Sequence, residues 1–155
     1  MRDGLSAEAR KTNSKLMKTH STNYFNTFIE VAEDCPARFG ETPPLRGANR
    51  SVANHQFEIL SGHPCEFTSD DVLFSVHAIR RKYRKQEMQK KRADFFSRGQ
   101  PCFRASPLTK RYGFGIHSDE NGKIAMYGVE TEEYSCFLKD DSIKKVSAMR
   151  AKRAK

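Results

Sequence analysis

Tryptophan is absent from this 155-residue chain, and so is any run of the ~18 apolar residues that a membrane-spanning helix needs. The opening stretch MRDGLSAEARKTNSKLMK also lacks the apolar core, roughly 7–15 residues, of a secretory signal. Its Arg, Lys, Ser and Ala content leans towards a transit peptide, but Asp3 and Glu8 count against one, and Met17 offers an alternative start. The expected setting is therefore a soluble, cytoplasmic one with no membrane partner, where Cys35, Cys65, Cys102 and Cys136 stay free thiols. No two of these cysteines stand in a CxxC or CxxxxC pair, and none of the five histidines (His20, His55, His63, His77, His117) forms an HxxxH or HxxH pair. The ligand spacing of a zinc centre is thus missing. P-loop, GxGxxG and Ser-centred elbow motifs are missing too. The expectation is a protein without metal or cofactor, leaning away from enzymes that depend on metals or nucleotides. In a reducing compartment the sequon Asn49-Arg50-Ser51 carries no meaning.

What is plentiful is charge, 30% of residues against 37% hydrophobic, with a formal net charge of +9. The excess is concentrated. Eight bases against Glu87 give Arg80–Arg92 a net +7, and Lys144–Lys155 adds +6 with no acid, which leaves the rest at −4. A mildly acidic body with two basic segments suggests nucleic acid, another polyanion or an acidic protein as partner. The residues expected to carry that contact are Arg80, Arg81, Lys82, Arg84, Lys85, Lys144, Lys145, Arg150, Lys152 and Arg153. Tyr83, Phe95, Phe96, Tyr112 and Phe114 are candidate base-stacking rings, though the same rings suit a core and charged helix runs are commonly just solvated faces.

Local patterns give an α+β outline. Residues 1–20 read as a flexible extension, 21–143 as one domain and 144–155 as a basic C-terminal helix or tail. Alternation in Tyr24–Val31 (YFNTFIEV) favours a strand. Ser51 is placed to cap a helix over Val52–Ser61, with a strand as the competing reading because His55, Phe57 and Ile59 alternate with Gln56 and Glu58. Thr68-Ser69-Asp70-Asp71 ahead of Val72, Leu73, Val76 and Ile79 predicts a capped helix to about Lys82, followed by a helical stretch over Gln86–Ser97. Asn121-Gly122 predicts a hairpin between Arg111–His117 and Lys123–Val129. Gly113 and Gly115 leave one face of its first strand bare, open to close approach by a helix or a ligand. Glu132–Leu138 reads as a helix, and Ser142 as the start of another that runs into the basic tail. The expected architecture is a small antiparallel sheet of three strands, including the hairpin, covered by helices on one face.

Five segments carry a resemblance to a known family: TNYFNTFIEVAEDCP (22–36), TSDDVLF (68–74), GQPCFRASPLTKRYGFGIH (99–117), GKIAMYGVE (122–130) and DDSIKKVSAMRAKR (140–153). On these the chain, from Met17 to Arg153, resembles a family of small, mostly microbial proteins of unknown function. The resemblance implies one domain beginning near Met17. It brings no activity, cofactor or catalytic residue with it.

The Pro-bounded segment Gln100–His117 gathers the side chains from which a site is most easily built. Arg104, Ser106, Lys110, Arg111, Tyr112 and His117 offer cations and hydroxyls suited to a phosphate or carboxylate. This supports an alternative function, a small anionic-ligand binding protein or an enzyme centred on that segment. The bland reading of the same residues is an ordered loop with solvated cations. Cys102 becomes a nucleophile only if His117 or Arg104 activates it; otherwise it is an inert packing thiol, as Cys35, Cys65 and Cys136 are expected to be. The acidic pairs Asp70-Asp71, Asp119-Glu120, Glu132-Glu133 and Asp140-Asp141 flank turns or helix starts, where capping accounts for them.

Overall fold

A computed structural model describes residues 19–152. Strand β1, Thr27–Glu30, lies inside the sheet, which has the order β3-β2-β1-β4. Two consecutive side chains of β1 are sealed on opposite faces, Phe28 and Ile29, at 0% and 1% exposure. Strand β2, Phe114–Ser118, runs antiparallel to β1, with Ile29 opposite Ile116. Strand β3, Ile124–Gly128, completes the hairpin with Ile116 opposite Met126. The hairpin turn is wider than a two-residue Asn-Gly turn: Gly122 has φ +81° but Asn121 does not take positive φ. The Asp119 carboxylate holds it by accepting the amide hydrogens of Asn121 (2.8 Å) and Lys123 (2.9 Å).

The helices begin where local capping chemistry puts them. Helix α1, Val52–Gly62, starts at Ser51, whose hydroxyl accepts the Asn54 amide hydrogen (3.2 Å) while the Asn54 side chain accepts that of Ser51 (2.9 Å). Helix α2, Ser69–Arg81, has the same reciprocal cap between Thr68 and Asp71 (3.1 and 3.0 Å). It stops at Lys82, which is left-handed at φ +57°. A 3₁₀ turn at Lys85–Glu87 leads into α3, Met88–Phe95. A second 3₁₀ turn, Phe103–Ala105, leads into the single-turn α4, Pro107–Lys110. Helix α5, Glu132–Lys139, follows the hairpin.

Three expectations are corrected. The sheet is mixed rather than antiparallel, because the segment expected to form a last helix from Ser142 forms strand β4, Lys144–Ser147, parallel to β1. The Asp140 carboxylate takes the Ser142 amide and hydroxyl hydrogens (2.9 and 2.5 Å), closing a turn in place of a helix cap. The chain is then drawn along β1 by hydrogen bonds from the Lys144 amide to the Asn26 carbonyl and from the Ala148 amide to the Glu30 carbonyl, each 2.9 Å. At the sheet margin, Lys144 and Lys145 are the kind of charged residues that blunt an edge strand. The second correction concerns the layers. Helices α1, α2 and α4 pack on the Ile29–Ile116–Ile124 face through Leu60, Val72 and Leu108. Helix α5 covers the other face, where Phe28 meets Tyr134 edge-on (centroids 4.9 Å) and stacks near Phe137 (5.1 Å). The third concerns thiols: Cys65 and Cys136 are exposed rather than packed.

The bare face of β2 is thereby filled by a helix. A Cβ at Gly115 would sit 2.5 Å from Phe28 Cζ and 2.6 Å from Tyr134 Cε2, so no larger residue fits. Tyr134 is fixed there by accepting the Val31 amide hydrogen on its hydroxyl (2.9 Å). A second, smaller cluster joins α2 to α3 through Phe74, Ala78 and Phe96. The expected N-terminal extension lies outside the described residues except for 19 and 20, and the His20 amide already donates to the Phe96 carbonyl (2.8 Å). Just beyond, the buried Thr22 hydroxyl meets Ser69 Oγ at 2.7 Å, and the Thr22 amide donates to Asp70 (2.7 Å), joining this segment to the start of α2.

The C-terminal segment beyond β4 is tethered too. Arg150 pairs with Glu33 (3.1 Å), and the Asp34 carboxylate accepts the amide hydrogens of Ala151 (2.7 Å) and Lys152 (3.0 Å). Those two backbone hydrogen bonds hold the Asp34 carboxyl below its ordinary pKa.

Two outcomes are expected from these contacts. Gly115→Ala should destabilise the fold by about 1–3 kcal/mol, the usual cost of overpacking, read from chemical denaturation; an unchanged midpoint would show that Phe28 and Tyr134 yield freely. For the tether, a depressed folded-state pKa means its contribution is present above the unfolded value, near 3.9, and is lost as pH falls through the lower folded value. Protection of the Ala151 and Lys152 amides, taken relative to their intrinsic exchange rates, should fall across that acid window, and at neutral pH in Asp34→Ala.

Candidate anion-binding cleft

Helix α2 carries Leu73, Val76, His77, Arg80 and Arg81 at i, i+3, i+4, i+7 and i+8, a spacing that puts all five on one side of a helix. That side forms one wall of a cleft of about 640 Å³. Val52 and Gln56, one turn apart on α1, contribute a second wall. Phe95 and the segment Gln100–Pro107, with Pro101, Cys102 and Ser106, complete it. The size falls in the range of small-molecule sites, about 300–1,000 Å³.

The polar groups in the lining are arranged by specific bonds. Ser106, 4% exposed, caps α4 by accepting the Leu108 amide hydrogen (3.1 Å) and donates its own hydrogen to Gln56 Oε1 (2.6 Å). Gln56 is itself only 3% exposed, and among the described residues no buried side-chain nitrogen or oxygen is left without a hydrogen-bond partner. His77 is held by Tyr83 (Nε2 to hydroxyl 3.2 Å) and lies against Phe95 (centroids 4.6 Å), giving a flat aromatic wall. Arg80 and Arg81 have no carboxylate within ion-pairing distance among the described residues. Their field is felt nearby: burial first, then Arg81 and Arg80, lower the His77 pKa. Burial, then Arg50 and Arg80, do the same to His55. The result is a positive recess in which Arg80 and Arg81 stay exposed, lined elsewhere by rings and prolines.

Of the six residues expected to form a ligand site, the structure brings only Ser106 into this cleft. Arg104 donates from Nε to the Ser147 carbonyl (2.7 Å) at the end of β4. Tyr112 lines a separate, smaller pocket. Lys110 is half-buried and Arg111 exposed, and neither belongs to the lining of these two cavities. His117 lies on the opposite sheet face, stacked on Phe137 at 4.2 Å, where burial pushes its pKa down against the opposing pull of Asp119 and Asp140. His117 is therefore not available to activate Cys102. That thiol lines the cleft, 3.4 Å from the Tyr24 hydroxyl, whose pKa is raised by burial and by this contact.

The residues expected to meet a polyanion divide in a similar way. Arg80 and Arg81 enter the cleft, and Lys82 and Lys85 are exposed. Arg84 pairs with Glu87 (3.1 Å), and Lys145 Nζ bonds the Asp140 carbonyl. Within the same basic run Arg92 pairs with Asp71 (2.9 Å). Lys144 is exposed on β4, while Arg150 and the Lys152 amide serve the C-terminal tether. Arg153 lies outside the described residues. Gln56, His77 and Gln100 were not singled out as ligand contacts in the sequence. The stripe 73/76/77/80/81 was the available signal for His77, whereas a lone glutamine in a helix gives none.

Among the described residues, no helix is long and apolar enough to cross a membrane, and no group of three or more His, Cys, Asp and Glu side chains could hold a metal ion. Comparison with known proteins places the chain by family. Residues 19–154 match the model of the family of unknown function DUF6157, and the chain belongs to that family. No curated protein and no solved structure matches it.

The electrostatics can be checked directly. Both His55 and His77 should titrate below the ordinary value near 6.5, and Arg80→Gln should raise both midpoints while leaving that of His117 in place. NMR titration of the ring carbons reads all three; a His117 shift equal to the others would disprove a local field.

Proposed function

We propose that this member of the family is a binding protein for a small organic anion, held in the cleft between α1, α2 and residues 100–107. The anionic group of the ligand sits on Arg80 and Arg81, and its flat apolar body lies against His77, Phe95 and Pro101. The observation that carries this reading is one recess of ligand size that holds two cations without carboxylate partners among the described residues beside the His77–Phe95 wall. Guanidinium groups bind phosphates and carboxylates through paired hydrogen bonds. No reaction is assigned, because the cleft contains no nucleophile with a positioned base.

A second reading, weak and sequence-independent binding of nucleic acid or another polyanion, draws on Arg80, Arg81, Lys82, Lys85 and Lys144. The intramolecular pairing of Arg84, Arg92 and Arg150 counts against it. The two readings differ in salt response. Polyanion binding through several phosphates loses orders of magnitude between about 50 and 200 mM salt, whereas a ligand clamped by two arginines loses far less.

A thermal-shift series with phenyl phosphate and benzoate tests the first reading. At about a hundredfold excess over Kd a ligand adds about 2.7 kcal/mol, which is a rise of roughly 5–10 °C for a chain of this size. Arg81→Gln should abolish most of the shift. Absence of any shift with aromatic anions, together with steeply salt-dependent oligonucleotide binding, would replace the cleft reading with the polyanion one.

A further inference from the structure

Arg80 lines two cavities. Besides the cleft already described it borders a smaller pocket of about 320 Å³, formed with Pro44, Arg46, Asn49, Arg50, Ser51, Asn54 and Tyr112. The walls of this pocket are fixed. Asn54, 5% exposed, uses its whole side chain: Oδ1 accepts from the Ser51 amide (2.9 Å) and hydroxyl (2.8 Å), and Nδ2 donates to the carbonyls of Pro43 (3.0 Å) and Pro44 (3.4 Å). The proline loop is thereby pinned to the start of α1. The other side is set by Tyr112, whose carbonyl accepts the Glu41 amide hydrogen (2.8 Å) and whose amide donates to the Pro107 carbonyl (3.2 Å). No carboxylate belongs to the lining.

Three guanidinium groups converge on this space, and one is offset, since Arg50 pairs with Glu58. Among the described residues Arg46 and Arg80 have no such partner. Arg46 is exposed, while the ring of Tyr112 is half-buried, with no hydrogen bond from its hydroxyl among the described residues. Burial lowers the His55 pKa first, and the charges of Arg50 and Arg80 add to that lowering. Like charges gathered around a shaped recess repel one another unless an anion lies among them, and planar guanidinium forks match the oxygens of a tetrahedral oxyanion.

We infer that this pocket is a second anion subsite, selective for a phosphate-class oxyanion, which shares Arg80 with the larger cleft. Arg46 and Arg80 supply the charge, the Tyr112 hydroxyl donates a further hydrogen bond, and Asn54 keeps the recess open. The inference deepens the cleft reading at one point only, the shared Arg80. The natural ligand class then has two separated anionic groups, with its apolar body in the larger cleft and its second oxyanion beside Tyr112.

Calorimetric titration of the full chain with two probes, inorganic pyrophosphate and phenyl phosphate, tests it. Arg46→Gln and Tyr112→Phe should weaken pyrophosphate by about tenfold or more in the first case, where a charged bond is lost, and less in the second. Phenyl phosphate should respond instead to Arg81→Gln. Arg80→Gln should weaken both, and the charge-matched control Arg98→Gln, an exposed residue, should change neither. Pyrophosphate affinity that ignores Arg46 and follows Arg81 overturns the second subsite and leaves the cleft reading standing. Pyrophosphate binding that follows Arg46, with phenyl phosphate unbound, overturns the cleft reading and leaves the subsite. Equal losses in Arg98→Gln reduce both to general charge attraction, and binding of neither probe overturns both. Circular dichroism melts of each variant separate lost binding from lost folding.

Discussion

Everything on both faces of the sheet depends on the insertion of β1 between β2 and β4. A four-residue strand has four main-chain units with which to join two neighbours, and this one joins one neighbour antiparallel and the other parallel. Its adjacent side chains Phe28 and Ile29 point to opposite layers. Phe28 organises the aromatic layer beneath α5, and Ile29 belongs to the core that supports α1, α2 and α4. Burying both on opposite faces gives the short strand two independent hydrophobic anchors, each worth on the order of 1.5–3 kcal/mol for a full side chain. The functional layer and the supporting layer are thus held through one strand.

On the functional side, the distribution of charge follows from what each arginine can reach. Arg92 lies where the α2 cap exposes Asp71, and it is neutralised there while its plane covers Phe74 and Phe96 (5.8 and 5.5 Å). Arg84 has Glu87 three residues on. Arg80 and Arg81, at the last turn of α2, suit the negative end of the helix dipole and meet no carboxylate among the described residues. A run that looks uniform in sequence therefore divides into structural cations and unpaired ones, and two of the unpaired ones, Arg80 and Arg81, border the cavities.

Elements governed by local chemistry could be read from the sequence. Ser51 and Thr68 start their helices because the side chains that cap them lie three residues away, and the hairpin forms around Gly122 because its neighbours supply the turn. The α+β class and the first strand followed from the same kind of evidence. Strand β4 did not, because Lys144 finds its partner at Thr27 and nothing in KKVS itself states that pairing. Coverage of both sheet faces was half visible: Gly115 announced a close approach, and the approaching Tyr134 lies in a helix whose own pattern does not name its target. The site divided along the same line. Arg80, Arg81 and Ser106 each stood out by residue type, but in separate groups, since their meeting depends on the packing of α1 against α2 and on the Gln56–Ser106 hydrogen bond.

The parallel pairing of β4 with β1 also sets an order of events during synthesis. The central strand leaves the ribosome early, yet one of its two edges has no partner until residues near Val146 have emerged. During that interval the open edge of β1 presents unpaired amides beside Phe28 and Ile29, the combination that invites strand addition from another chain. Nascent chains stalled before β4 would then be the species most in need of a chaperone, and loss of the last strand would matter more for aggregation than for the cleft.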